Sequence, residues 1–197
     1  MQITRRRAIL MGSAALAGGT LAAAALWRKP APRVFTVADG TMAGDVTAWA
    51  GLTPLDPPVV PAPAGFTDGA GKAYTLADFA GQGVIVNLWA TWCVPCVAEM
   101  PQLAAAAEAL AGARIAVLPL SSDRGGAEVV RSFYASHDIG GLEVWLDPKG
   151  AAARAWGARG LPTTLVIDRR GREVARLEGA REWARPDALA ELTRLAG

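Results

Sequence analysis

The sequence predicts an α/β domain, and three observations carry that prediction. Residues 83–90, GVIVNLWA, form an apolar run interrupted only by Asn87, as expected of a central strand buried on both faces. Residues 97–111, VAEMPQLAAAAEALA, have helical composition, and 114–120, RIAVLPL, read as the next strand, completing a strand–helix–strand unit. Further on, TTLVID and REVARLEG flank the turn residues RRG and predict a hairpin.

The chain starts with a different kind of segment. TRRRAIL supplies positive charge, and residues 8–27 follow without a single charged side chain. About 20 such residues are just long enough to cross a bilayer as a helix. Arg6-Arg7 before Ala8, Ile9 and Leu10 resembles a twin-arginine export signal, and the alanines at 22–25 suit a small-residue cleavage rule. A cleaved signal and an uncleaved anchor both fit. The anchor is the favoured reading, and three arginines before the span against two basic residues after it put the N-terminus inside and the domain outside the cytoplasm.

Charge supports the same division. The formal net charge is +2, but Arg5, Arg6, Arg7, Arg28 and Lys29 all precede residue 30, and no acid does. Without those five, 15 basic residues face 18 acidic ones, a net −3. A mildly acidic domain with no basic stripe argues against nucleic-acid binding. With 52% hydrophobic residues there is ample material for one core.

Residues 28–63 hold seven prolines and little periodicity, and they read as a Pro-rich tether between a 1–27 leader and a 64–197 domain. GFTDGAGKAYTL, residues 65–76, predicts a hairpin turning at Asp68-Gly69 and Gly71. After RIAVLPL, AEVVRSFYASH places Val129, Val130, Phe133 and Tyr134 on one helical stripe. LEVWL is a strand and AAARAWG a short helix. RPDALAELTRLA closes the chain with Leu189, Leu192 and Leu195 inward. Asp123, Asp147 and Asp168 sit in turn contexts and read as caps, and His137 reads as a helix-end or packing residue.

The only two cysteines are Cys93 and Cys96, at the junction of the buried strand and the helix. A zinc clip needs four ligands, and the pair plus solitary His137 falls short, so no metal site is expected. Haem attachment needs a histidine where Val97 stands. A structural disulfide across two residues closes too small a loop to constrain the unfolded chain much. A redox pair is favoured, because unpaired N–H groups and the dipole at a helix start stabilise a thiolate. Cys96 is one turn on, within reach of a mixed disulfide, and Pro95 falls in the first turn, where its missing N–H costs little.

NLWATWCVPCVAEMP, followed much later by GLPTT, closely resembles the membrane-tethered TlpA/ResA-like branch of the thioredoxin family. The resemblance covers roughly residues 56–197. It implies a thioredoxin-like fold: a central mixed β-sheet flanked by helices, with an N-terminal hairpin and an insertion within residues 121–150. It makes Cys93 the exposed nucleophile and Cys96 the buried resolving thiol. Pro162 becomes a cis-proline facing the disulfide, and Leu161 presents backbone groups to a client strand. Trp92 joins the apolar rim. Plain thioredoxins keep a buried acid where this chain has Asn87. In the TlpA/ResA-like branch, a glutamate in the place of Glu99 is associated with proton transfer near the resolving cysteine; burial should raise its pKa. Pro101 should kink the helix.

These readings lead to a thiol–disulfide oxidoreductase on the periplasmic side of a bacterial cytoplasmic membrane, without a diffusible cofactor and monomeric. By family analogy it is a reductase. A membrane thiol transporter would supply its electrons, and its clients would be apocytochrome c or proteins assembling an oxidase copper centre. A copper(I) metallochaperone using the two thiolates is the alternative, disfavoured by the lone histidine. A thiol peroxidase is a third, less suited to a dithiol pair.

Overall fold

The computed structural model describes residues 51–197. Their order is β1 (Thr53–Val59), β2 (Phe66–Asp68), β3 (Ala73–Tyr74), β4 (Gly83–Trp89), α1 (Val94–Leu110), β5 (Ile115–Ser121), α2 (Gly126–Ser136), β6 (Trp145–Leu146), α3 (Ala151–Ala155), β7 (Thr163–Ile167), β8 (Glu173–Glu178) and α4 (Pro186–Ala196). The strands form one mixed sheet, ordered β1-β8-β7-β4-β5-β6-β2-β3.

The apolar run 83–89 is central for the reason its composition implies. β4 lies between parallel β5 and antiparallel β7, and every one of its residues is buried. Alternation sends Ile85 and Trp89 to one face, against Met100 and Leu103 of α1, Val130 and Phe133 of α2 and Leu192 of α4. Val84, Val86 and Leu88 go to the other face, against Phe66, Ala152 and Trp156. Each fully buried side chain of this size contributes roughly 1.5–3 kcal/mol. Asn87 shares the period of Ile85 and Trp89, which aims a polar group at the α1 face.

The hairpin at 65–76 forms β2 and β3, closed by the Asp68 carboxylate, which accepts the Ala70 and Lys72 amides. The segment 121–150 contributes α2 and β6. β6 runs parallel to β5 and antiparallel to β2, so it couples the hairpin to the central sheet. Aromatic rings complete that seam. Trp145 stands edge-on to Tyr74 at 5.0 Å and to Phe79 at 5.7 Å between centroids.

Three expectations need correction. Residues 53–59, read as tether, form edge strand β1, antiparallel to β8. An edge strand accepts Pro54, Pro57 and Pro58 because it needs ladder bonds on one side only. Asp56–Pro57 is cis. The α2 stripe is narrower than its pattern suggests: Val130, Phe133 and Tyr134 are buried, while Val129 is 38% exposed. In α4, Leu192 is buried but Leu189 and Leu195 only partly so, since Ala188 and Ala196 share the inward face. Helix α1 continues from Val94 to Leu110 with Pro101 inside it. Among the described residues no helix is long and apolar enough to cross a membrane. The uncharged stretch 8–27, and the tether as far as residue 50, lie outside them.

Close packing makes one position sensitive. A Cβ on Gly83, at the start of β4, would press on the Ala196 carbonyl oxygen and sit 2.8 Å from Ala196 Cβ and 2.9 Å from its carbonyl carbon. Gly83→Ala must therefore displace the end of α4. We expect a loss of about 1–3 kcal/mol, read as a lowered urea midpoint.

Candidate active site

The two cysteines form a disulfide with Cα atoms 5.2 Å apart. Local structure explains their placement. β4 ends at Trp89, the Cys93 amide donates to the Ala90 carbonyl to close a turn, and Cys93 becomes the N-cap of α1. Pro95 occupies the first helical turn, where no amide is required. Cys96 is fully buried and Cys93 is 6% exposed. The expectation of an exposed Cys93 is thus corrected for the oxidised form, in which its sulfur is tied to a buried partner one turn on. The exposed groups are its neighbours, Trp92 at 69% and Val94 at 79%, which form an apolar rim with Pro95.

Leu161–Pro162 is cis. β7 pairs antiparallel with β4, Thr163 opposite Leu88, so the start of β7 and the end of β4 share one end of the sheet. Pro162 therefore lies at the same end of the fold as the cysteine pair. Its carbonyl accepts the Gly179 amide at 2.9 Å. Leu161 precedes the ladder, half-buried, packed against both core clusters.

Glu99 is buried, 2% exposed, on the helix face of Cys96. Its carboxylate accepts three bonds: from Asn87 Nδ2 at 2.8 Å, the Arg181 amide at 2.9 Å and Trp183 Nε1 at 2.8 Å. Asn87 Nδ2 also donates to Thr164 Oγ1 at 3.0 Å, whereas Asn87 Oδ1 has no partner. Burial pushes the Glu99 pKa above its ordinary value, because removal from water penalises the charged form; the donated bonds pull the other way and only partly offset it. A buried carboxyl group that favours its protonated form thus lies one helical turn past Cys96.

Two features of this end of the fold are absent from the sequence reading. Trp183 and the Arg181 amide reach Glu99 from the loop between β8 and α4, more than 80 residues away in the chain. Asp123, read as a cap, instead binds the loop that carries Cys93. The other expectations about turn residues fit. Asp147 accepts the Ala151 and Ala153 amides at the start of α3, and Asp168 closes the β7–β8 turn and pairs with Arg172 at 2.6 Å. His137 ends α2, stacked on Phe133 at 4.1 Å. The described residues hold no group of three or more metal-ligating side chains.

This geometry can be set beside known proteins. The AhpC/TSA family model matches residues 60–174, more than half of the chain. The chain belongs to the AhpC/TSA family. Within it, the chain is 32% identical over 113 residues to thiol-disulfide oxidoreductase ResA of Bacillus thuringiensis, covering 57% of this chain and 64% of that protein. It is 33% identical over 104 residues to the thioredoxin-like protein YneN of Bacillus subtilis, covering 52% and 59%. The matches thus span less than two thirds of these curated relatives. Among solved structures, the exposed lipoprotein thioredoxin of Streptococcus pneumoniae is 28% identical, with a TM-score of 0.57 over 68% of this chain and 98% of that one. The secreted thiol-disulfide isomerase of Corynebacterium glutamicum shares the fold, with a TM-score of 0.60, 23% identity and coverage of 81% and 96%. This AhpC/TSA-family chain therefore has a thioredoxin-like fold of the ResA/TlpA-like kind.

Proposed function

We propose that the protein is a thiol–disulfide oxidoreductase that works through Cys93 and Cys96, most directly as a reductase of client disulfides. The observation that carries this reading is the disulfide itself, placed at a strand–helix junction with Cys93 as helix N-cap. In the dithiol form, the N-terminal end of α1 stabilises a Cys93 thiolate. That thiolate attacks one sulfur of a client disulfide; the client S–S bond breaks, a Cys93–client bond forms, and the other client sulfur leaves as a thiolate. Cys96, having given up its proton, then attacks Cys93 Sγ and releases the second client sulfur. The client gains two electrons and two protons, and the protein is left oxidised. Glu99, three residues on and on the same helix face, takes the Cys96 proton. Trp92, Val94 and Pro95 offer an apolar surface for the client, and Leu161 precedes β7 at the same end of the sheet.

The leader sequence supports action outside the cytoplasm, on the periplasmic side, held by an uncleaved anchor. The likeness to a protein named as an exposed lipoprotein points the same way. In that setting, clients in cytochrome c or oxidase copper-centre maturation, and a membrane thiol transporter as donor, fit the resemblance to the TlpA/ResA-like branch.

The direction is tested by equilibrating the full-length protein with glutathione buffers and measuring the Cys93–Cys96 potential. A value near that of thioredoxin, about −270 mV, is expected of a reductase. A value near about −120 mV would make it an oxidant and overturn the reductase reading.

A further inference from the structure

Asp123 lies just beyond β5 and is 4% exposed. A buried acid needs partners, and those of Asp123 are specific. Its Oδ2 accepts the Thr91 amide at 2.9 Å and Ser121 Oγ at 2.8 Å, and its Oδ1 accepts Thr91 Oγ1 at 2.8 Å. Its own amide donates to Ser121 Oγ at 3.0 Å. Thr91 belongs to the turn that Cys93 closes by donating to Ala90. On the near side, the Ser122 amide donates to the Trp89 carbonyl at 2.9 Å, tying the end of β5 to the end of β4. A cap would satisfy amides of its own helix. This carboxylate spends both oxygens on a residue 32 positions earlier in the chain.

We propose that Asp123 is a positioning residue for Cys93: it fixes the turn that presents the nucleophile and holds a carboxylate against Thr91, two residues before it. The proposal rests on reading Cys93–Cys96 as the working dithiol. Two chemical consequences follow. Clamped at both its amide and its hydroxyl, Thr91 cannot swing, and Trp92 and Cys93 are held at a constant angle to the α1 N-terminus. The charge opposes the Cys93 thiolate that the helix end favours. Holding the thiolate back favours the disulfide over the dithiol, the direction a reductase requires, because strong oxidants of this class are those whose reduced form is stabilised. Tyr134 on α2 shares the core cluster of the cysteines, Glu99 lies on α1 one turn past Cys96, exposed Arg124 follows Asp123 in the chain, and exposed Arg181 gives its amide to Glu99. Tyr134 stays protonated because it is buried.

The test uses the full-length protein with two substitutions, Asp123→Asn and Thr91→Val. Asp123→Asn removes the charge; Thr91→Val removes one tether and keeps the charge. In Asp123→Asn, the pH midpoint of Cys93 alkylation, read from the mass of its peptide, should fall by about half a unit or more. The equilibrium with glutathione should move about threefold or more toward the dithiol. In Thr91→Val the midpoint should stay where it is while reduction of a disulfide-containing test protein such as insulin slows severalfold. An Asp123→Asn protein with the wild-type midpoint and equilibrium would overturn the proposal. So would a Thr91→Val protein that reduces insulin at the wild-type rate, which remains measurable even if Asp123→Asn does not fold. Wild-type protein that fails to reduce insulin would instead sink the dithiol reading itself.

Discussion

Replacing Cys96 by serine is expected to stop client reduction and leave Cys93 joined to its client. In the proposed mechanism the two sulfurs have separate tasks: one forms the mixed disulfide, the other breaks it. Cys96 is buried and positioned one turn into α1, so no other group replaces it. Among the described residues there is no further cysteine to resolve the intermediate. Turnover should fall on the order of a thousandfold or more, as when one member of a catalytic unit is removed. Mixed disulfides should accumulate in cells as bands that reducing agent dissolves, and sequencing the attached partners would name the client. Cys93→Ser should lose the same activity and trap nothing. A Cys96→Ser protein that turns over normally, or that traps no more than Cys93→Ser does, would remove Cys96 from the mechanism.

Glu99→Gln is the second large effect, and the pocket makes it a clean probe. Glutamine can keep one oxygen toward Trp183 Nε1 and the Arg181 amide. Its new amide then faces Asn87, which a half-turn of the Asn87 side chain meets by presenting Oδ1 to it and to the Thr164 hydroxyl, Nδ2 taking the unpartnered position that Oδ1 holds in the native arrangement. The fold should survive while the proton is lost. Client reduction should drop on the order of a hundredfold, with the pH dependence of the resolving step flattened. Stability supplies an independent check with a definite sign. Burial raises the folded-state pKa above the ordinary 4.5, so the native state favours the protonated form. That contribution is fully present below 4.5 and is lost as pH climbs through the folded value. Glutamine does not titrate. The stability of Glu99→Gln relative to wild type should therefore improve as pH rises from about 4.5, measured by urea unfolding of the oxidised proteins across that range. A constant difference, with turnover unchanged, would return Glu99 to a purely structural role.

What could be read along the chain was whatever neighbouring residues encode together. The run of β4, apolar but for Asn87, announced a strand with both faces covered. Asp68-Gly69 announced a turn, and the two-residue spacing of Cys93 and Cys96 announced a pair one helical turn apart. The resemblance supplied a cis Leu161–Pro162 bond and singled out Glu99, which no local pattern separates from an ordinary helix carboxylate. Proline content misled at residues 53–59, because composition reports what a strand lacks, not whether an edge position makes the lack harmless.

The sequence by itself determined the α/β class, the order of most elements and the cysteine pair at the head of a helix. Each of these depends on side-chain period or on spacing within a few residues. Only the tertiary structure decided what surrounds that pair. Trp183 meets Glu99 across a separation of 84 residues, and Asp123 meets Thr91 across 32. Such contacts exist because the sheet order sets β5 on one side of β4 and β7, then β8, on the other, and so brings the loops that follow β4, β5 and β8 to one end of the sheet. That order is settled by which faces must be buried together, a property of the assembled core that no short stretch of chain carries.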